Sequence, residues 1–389
     1  MRALNIIKSF ISLKNYCESQ SYIGWDPYDG LNSKVFKILQ LHKFRFLRLV
    51  WIQLFKHNPI NFRRLLLVPK QHNPKGLALF LTGYCNLYKA DPQKDYLDKI
   101  NFLANKLILL KSKGFSGACW GYNFDWQSRA FYLPKNTPTV VVTSFVSSAL
   151  MDAYDVTKNK NYLDIALTSA DFVMKDLHRT LKTEGFIFSY SPLDKSSVYN
   201  ASLHGSRLLA RSYSYRNNKS FLKAAKESVV ACTNVQKKDG AWIYGELSIQ
   251  NWVDSFHTGY NLECIYEYQR YSGDVSFQNH IDKGLSYYLE NFFLEDGTPK
   301  YYDNKIYPID IHAPAQFMAT IYKLGLLDEN KKLVDQVLNW TIKNMQDPHD
   351  GYFYYQLKKG ISSKIPYMRW AQAWMFYAFS FKLLEKIND

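Results

Sequence analysis

Three side chains that can transfer protons follow one another at helical spacing near the middle of the chain. Asp254, His257 and Tyr260 are three residues apart, so they lie on one face of a helix. An Asp beside a His orients the imidazole and raises its basicity, and cations that lower the pKa of Tyr260 would let it exchange a proton. The pattern indicates general acid–base chemistry. The alternative is that Asp254 only caps the helix, with the other two side chains packed inward.

Polar side chains also begin the neighbouring helix-like segments. Asn200 and His204 are four residues apart and share a face, a pair suited to holding a carboxyl group and moving a proton. Asp310, His312 and Gln316 begin the next segment in a similar way. The alternative for each histidine is a hydrogen-bonded core residue.

Two further cations have the geometry of anion-binding groups. Arg129 follows Trp126 in an aromatic loop over residues 120–132, and its forked guanidinium suits a carboxylate or phosphate; alternatively, it only pairs with Asp125. Arg369, followed by Trp370, begins the last helix, where the dipole disfavours a cation. An anionic partner is therefore expected, either an Asp or Glu or a substrate.

These positions give one predicted site with two groups of residues. We predict a catalytic group of Asp254, His257, Tyr260, His204 and Asp310, and a substrate-binding group of Trp126, Arg129, Asn200, Trp252, His312, Gln316, Arg369 and Trp370. No metal-ligand spacing or nucleotide-binding loop is present in the sequence. We therefore expect no metal and no cofactor.

A repeated glycine–aromatic pattern shows how the chain positions these residues. Gly117, Gly185, Gly240, Gly297 and Gly351 each precede an aromatic cluster and recur every 54 to 68 residues. Internal repeats of this length indicate a repeat architecture. Each cluster leads to a segment that is apolar nearly all round and should be buried, namely 77–90, 139–156, 199–215, 254–271, 310–324 and 367–387.

A second, amphipathic helix follows each of the first five buried ones, over 93–113, 161–180, 219–236, 275–293 and 329–346. The missing sixth outer helix is expected at Ser33–His57, packed beside the last inner helix. The fold class is then all-α, an (α/α)6 toroid whose N-terminal helical extension closes the ring; an open solenoid is the alternative. We expect an extension over 1–76 and a toroid domain over 77–389.

Composition limits the partners. The chain of 389 residues has a formal net charge of +15, which attracts polyanions, and 30 Tyr, 25 Phe and 9 Trp, which suit half-wet clefts for sugar rings. Nucleic-acid-binding motifs are absent. Residues 33–64 are basic and apolar, so they could contact an anionic membrane or simply pack on the ring.

The cellular location is inferred from the cysteines and the N-terminus. Five scattered cysteines argue against a disulfide framework and fit a reducing compartment. Met1–Leu13 lacks the uninterrupted apolar stretch and cleavage site of a secretory signal, and no stretch is long and apolar enough to span a bilayer. We expect a cytoplasmic protein, or one peripheral to the inner face of the membrane.

The repeats and their polar helix starts resemble the six-hairpin glycosidase-like superfamily over roughly residues 75–389. Trp120–Thr143 and Trp25–Gly30 also resemble uncharacterised bacterial proteins associated with surface-polysaccharide synthesis. The resemblance implies a carbohydrate-active protein, but a fold does not fix a reaction. We expect an enzyme that abstracts a proton beside a uronate carboxylate of an acidic glycan, of the epimerase or lyase type. The alternatives are a glycoside hydrolase with paired carboxylates (Asp125, Asp254, Asp310, Glu246) and a non-catalytic glycan-binding or assembly protein at the membrane.

Overall fold

A computed structural model describes residues 2–129 and 131–384 of the protein. Its α-helices are α1 (Arg2–Ser19), α2 (Lys34–Ile38), α3 (Arg45–His57), α4 (Pro74–Ala90), α5 (Lys94–Leu109), α6 (Val140–Thr157), α7 (Lys160–Lys175), α8 (Tyr199–Arg216), α9 (Lys219–Thr233), α10 (Ser255–Ser272), α11 (Gln278–Phe292), α12 (His312–Lys323), α13 (Leu327–Met345) and α14 (Trp374–Leu384). A π-helical turn, Met368–Ala373, leads directly into α14.

Six of these helices form a closed inner ring. Each of α4, α6, α8, α10, α12 and α14 contacts the next, and α14 contacts α4. Their side chains are buried nearly all round, as their continuous apolar sequence requires. The predicted (α/α)6 toroid is confirmed, and the predicted starts of α4, α6, α8, α10 and α12 lie within three residues of the observed ones. The sixth segment, predicted from residue 367, begins with the π-helical turn and becomes α-helical only at Trp374.

Short antiparallel strand pairs lie in the connections that lead from the outer helices to the inner ones. They pair β1 (Trp126–Gln127) with β2 (Tyr132–Leu133), β3 (Arg179–Leu181) with β4 (Phe186–Phe188), and β5 (Ile309–Asp310) with β6 (Gln356–Leu357). The repeated glycines lie in the same connections. A Cβ on Gly185 or Gly240 would overlap a backbone carbonyl of the following outer helix, and both have positive φ angles, +74° and +96°. Close approach of the connection to the outer layer therefore explains these two glycines.

The sixth outer helix is α1, so the assignment of this position to Ser33–His57 was wrong. Helix α1 contacts α13 and α14, and Phe10 packs on Phe376 with ring centroids 5.4 Å apart. Residues 33–57 do not form one helix, because the chain turns at Gln40, whose φ is +56°. The extension still closes the ring, but through its first helix.

Helices α2 and α3 lie over the cleft end of the ring. They form a small second core in which Leu31, Phe36 and Ile52 are buried, with Trp51 and Trp126 against them. The boundary between an extension over 1–76 and a toroid domain remains a prediction. Within 2–129 and 131–384, the helices all lack the combination of length and apolarity that crossing a bilayer requires.

Candidate active site

The N-terminal ends of the inner helices surround a cleft of about 400 Å³. Nine of the thirteen predicted site residues line it: Trp126, Arg129, Asn200, Trp252, His257, Tyr260, His312, Arg369 and Trp370. The other four, Asp254, His204, Asp310 and Gln316, are buried behind the cleft wall. Most of the residues selected because they lie near the starts of the inner helices therefore meet at this one cleft.

Asp254 both caps α10 and orients His257. The helix cap and the partner of the histidine, which the sequence offered as alternatives, are therefore both correct. Its Oδ1 accepts from the backbone N–H of His257 at 2.9 Å, which satisfies a free donor at the helix start. Its Oδ2 accepts from Trp252 Nε1 at 2.9 Å and lies 2.7 Å from His257 Nδ1. An ionised carboxylate only accepts, so Nδ1 carries the proton and Nε2 is the basic nitrogen of His257. The His257 side chain is 19% exposed, at the cleft wall.

Tyr260 lies in a buried chain of polar groups that crosses the ring. Its hydroxyl is 2.8 Å from His312 Nε2 and accepts from Lys75 Nζ at 3.1 Å. Burial raises the pKa of Tyr260 well above its ordinary value, against the opposing effect of Arg369. The expectation that cations lower this pKa was therefore wrong, because the cost of burying the phenolate is larger. Tyr260 stays protonated and can donate a proton.

His312 is neutral at physiological pH in this environment, and Lys75 loses its proton more readily than an exposed lysine. Burial lowers the pKa of both groups well below their ordinary values, and Arg369 lowers them further. His312 Nε2 therefore accepts from Tyr260, and its Nδ1, buried and without a hydrogen-bond partner in the described structure, carries the proton. Lys75 Nζ also lies 4.3 Å from the ring centre of Phe145.

His204 and Gln316 lie deeper in the ring and are not in contact with the cleft. His204 Nδ1 is 3.5 Å from Cys264 Sγ, and burial lowers its pKa well below the ordinary value. Gln316 donates to Thr320 Oγ1 at 2.9 Å and to Glu263. Both have the contacts of buried structural residues, the alternative that the sequence left open for the histidine.

Asp310 supports the cleft wall from behind. Its Oδ1 accepts from the backbone N–H of His312 at 2.9 Å and from Trp370 Nε1 at 2.8 Å, and its Oδ2 accepts from Gln356 Nε2 at 2.6 Å. Burial raises the pKa of Asp310 to about 6, although these donors favour the ionised form. The residue therefore holds Trp370 and His312 in place and does not face the cleft.

The predicted anionic partner of Arg369 is Asp26. The guanidinium binds this carboxylate through Nε at 2.5 Å and Nη2 at 2.8 Å, so the Trp25–Gly30 segment is fixed to the ring. Arg369 also lines the cleft. The Asp125 carboxylate lies 3.3 Å from Lys37 Nζ. Lys37 is therefore the cation that pairs with Asp125, the role that the alternative interpretation gave to Arg129.

Asn200 lines the cleft and has a buried acceptor. Its Oδ1 has no hydrogen-bond partner in the described part of the chain, and the residue is 4% exposed. A buried polar atom without a partner costs free energy. A ligand hydroxyl would satisfy it.

Lys75 and Lys56 were not predicted. Lys75 follows Asn73, whose side chain accepts from the backbone N–H of residues 75 and 76 at the start of α4. The rule applied to the other inner helices would have found Lys75 if the first helix had been started three residues earlier. Lys56, on α3, had been assigned only to the basic face of the extension.

The comparisons with known proteins bear on the fold. No family model and no curated protein matches the chain. Among solved structures, cellobiose 2-epimerase from Bacillus thermoamylovorans B4167 is 14% identical with a TM-score of 0.64, covering 81% of this chain and 88% of that one. An unsaturated glucuronyl hydrolase specific for heparin is 12% identical with a TM-score of 0.64, covering 100% and 97%. A GH76 α-mannanase from Bacteroides thetaiotaomicron is 13% identical with a TM-score of 0.61, and the match covers 81% of this chain and 87% of that one.

The protein shares the (α/α)6 toroid fold of these structures. At these identities the likeness establishes the architecture, which the repeats predicted. It does not identify the reaction, which has to be argued from the residues of the cleft.

The charged side chains that line the cleft of this toroid are basic. Among the described residues that line it there is no Asp or Glu, whereas Lys56, Lys75, Arg129 and Arg369 all contribute. Aromatic side chains form most of the remaining wall, including Tyr28, Tyr122, Trp126, Tyr190, Tyr244, Trp252, Tyr301 and Trp370. In the part of the chain that the structure describes, no group of three His, Cys, Asp or Glu residues is placed to hold a metal ion. The cleft is therefore suited to a flat, hydroxylated ligand with negative charge.

Proposed function

We propose that the protein is an enzyme of bacterial surface-polysaccharide metabolism that acts on a uronate-containing glycan by proton abstraction, in the manner of an epimerase or lyase. The observation that carries this proposal is the composition of the cleft wall. Among the described residues, the wall contains cations and the oriented His257, and the nearby carboxylates lie behind it. Structural neighbours named as a sugar epimerase, a D-mannose isomerase and an unsaturated glucuronyl hydrolase support a carbohydrate substrate.

His257 is the proposed base. Asp254 holds its Nδ1–H, so Nε2 receives the proton from the carbon beside the uronate carboxylate, C5. The electron pair of the broken C–H bond moves into the carboxylate and forms an enediolate. This dianion-like group requires positive charge nearby, and Arg369 and Lys56 are the cleft cations proposed to supply it.

Tyr260 is the proposed acid. Its protonated hydroxyl lies between Lys75 Nζ and His312 Nε2, and the hydrogen bond from Lys75 stabilises the phenolate that is left when Tyr260 donates its proton. In an epimerase, Tyr260 would return a proton to C5 from the opposite face. In a lyase, the bond from C4 to the glycosidic oxygen breaks as the C4–C5 double bond forms, and the leaving oxygen takes the proton.

Proton NMR in D2O with uronate-containing oligosaccharides tests this function. Deuterium at C5 identifies an epimerase, and a new vinylic proton identifies a lyase. The signal should disappear in His257→Gln and persist in His178→Gln, a matched control whose imidazole lies outside the cleft. Carboxyl-reduced versions of the same oligosaccharides should not react. Equal reaction of acidic and reduced glycans would overturn the proposed role of the carboxylate.

The hydrolase alternative requires two carboxyl groups across a glycosidic bond, roughly 5–10 Å apart. Of its four candidates, Asp254 and Asp310 are buried behind the wall, and Asp125 and Glu246 are paired with Lys37 and Lys182. New reducing ends without deuterium or vinylic protons would favour this alternative.

The non-catalytic alternative makes a different prediction for the same variants. If the protein only binds or presents a glycan, the uronate oligosaccharide remains unchanged in the NMR experiment, and His257→Gln still binds it. Binding by calorimetry with no reaction in the wild type would therefore replace the enzyme proposal.

A further inference from the structure

Exposed large apolar side chains are concentrated in one short part of the chain. Of the 24 such residues in the described structure, ten lie between residues 38 and 67: Ile38, Leu39, Phe44, Phe46, Val50, Leu54, Ile60, Phe62, Leu65 and Leu67. Single exposed apolar residues are ordinary, but a concentration of this kind marks a surface that binds something. We call residues 34–67 the docking face.

Helix α3 shows that the ring covers only part of this apolar surface. Ile52 and Phe55 are buried against the protein. Phe46, Val50 and Leu54 are four residues apart and form a stripe that is exposed to solvent. The helix is therefore apolar on two sides, and its outer side has no partner within the described chain.

The docking face is also strongly basic. No Asp or Glu occurs in the sequence between Asp29 and Asp91, and residues 33–64 contain eight Lys or Arg. Two of these cations pair with carboxylates in the described structure: Arg63 binds Asp29 at 2.7 Å and Lys37 lies 3.3 Å from Asp125. Arg48 donates to Gln127 and to the backbone carbonyl of His42. The side chains of Lys34, Lys43, Arg45 and Arg64 are exposed among the apolar residues.

We infer that the docking face binds the surface of an anionic bilayer. Exposed apolar side chains among lysines and arginines match the boundary between acyl chains and anionic headgroups. A second copy of this chain is a poorer occupant, because it would bring one basic face against another. Gln53, Lys56 and His57 of α3 line the cleft, so docking would place the cleft mouth beside the bilayer, where a lipid-linked glycan would reach it.

Flotation of the full-length protein with lipid vesicles tests this inference. We expect binding to phosphatidylcholine vesicles that contain phosphatidylglycerol, weak binding to phosphatidylcholine alone, and release at high salt. Lys34→Gln/Lys43→Gln/Arg64→Gln should lower the partition coefficient roughly a hundredfold, since each cation contributes roughly a fivefold factor. Phe46→Ser/Leu54→Ser should also abolish flotation.

Matched controls separate docking from folding and from activity. Leu109→Ser/Val275→Ser removes two apolar side chains elsewhere on the surface that are 79% and 71% exposed, against 72% and 52% for Phe46 and Leu54, and this variant should float like the wild type. Thermal unfolding checks that all variants fold, and His257→Gln should still float even if the proposed reaction is absent. Failure to float, equal binding to neutral vesicles, or a dimer that the Phe46→Ser/Leu54→Ser change disperses would each overturn the inference.

Discussion

The Asp254 carboxylate accepts from three donors with two oxygens, and an amide cannot replace it. In Asp254→Asn, one of the positions facing Trp252 Nε1, His257 Nδ1 and the His257 backbone N–H must become an NH2 group. We expect a loss of about 1–2 kcal/mol in the free energy of unfolding. The proton-exchange rate at saturating substrate should fall about 10²–10⁴-fold, because His257 Nδ1 is no longer held as the donor.

The measurement is kcat and KM for exchange at C5, with thermal unfolding of the same samples. A rise in KM at unchanged kcat would mean that Asp254 is only a helix cap, since orientation of the base acts on the chemical step.

Local spacing predicted the cleft residues of α10 but missed their long-range partners. Asp254 and His257 are neighbours in sequence, so a helix model alone brings them together. Lys75 and Tyr260 are 185 residues apart in the sequence, and Asp26 and Arg369 are 343 residues apart. Such contacts depend on ring closure, which the repeat pattern predicts only as a count of hairpins. The identity of each partner therefore could not be obtained from spacing.

At the scale of elements, the contact between α1 and the last repeat is tested by two glycines with the same backbone conformation. Gly351 and Gly273 both have φ of +76°. A Cβ on Gly351 would lie 2.6 Å from Ser12 Cβ on α1, whereas nothing lies within 4 Å at Gly273. Gly273→Ala should cost about 1–2 kcal/mol from backbone strain alone.

Gly351→Ala should lose about 1–3 kcal/mol more, because the methyl group forces α1 away from the ring. Urea unfolding of both variants measures the difference. Equal losses would mean that α1 does not pack on this turn as described.

The spacing of apolar residues predicted most helices correctly but assigned the sixth outer position to the wrong segment. Both outcomes have the same physical reason. An outer helix needs one apolar stripe, and the segment over residues 33–57 shows a stronger one than α1 does. The stripe of α3 is in fact divided between a small core and the solvent. A sequence pattern reports how much apolar surface a helix has, but not which partner covers it.

For the whole molecule, ring closure explains why so basic a cleft can exist. The inner helices direct their N-terminal ends, which have partial positive charge, at one opening. Lys56, Arg129 and Arg369 add full charges there, and the carboxylates Asp26 and Asp254 lie one layer deeper. The resulting potential favours an anionic ligand without burying an unpaired anion in the wall.

The pH dependence of global stability tests that deeper layer through Asp310, which joins the fifth and sixth repeats. Its pKa in the folded protein is about 6, above the ordinary value of 3.8. Between these values the folded state binds more protons than the unfolded state, so wild-type stability falls as pH rises from about 4 to 6. The loss from this group reaches about 3 kcal/mol.

Asp310→Asn removes this titration and can keep the contacts, because Gln356 can turn its amide to offer oxygen to the new NH2 group. Urea unfolding across this pH range measures the free energy of unfolding of both proteins. The value for the variant minus that for the wild type should rise by up to about 3 kcal/mol as the pH rises. Asp328→Asn, at an exposed acid on α13, controls for the loss of one negative charge. A constant difference between Asp310→Asn and the wild type would mean that water or movement of the wall relieves the buried charge, and that the layer behind the cleft is less rigid than these contacts indicate.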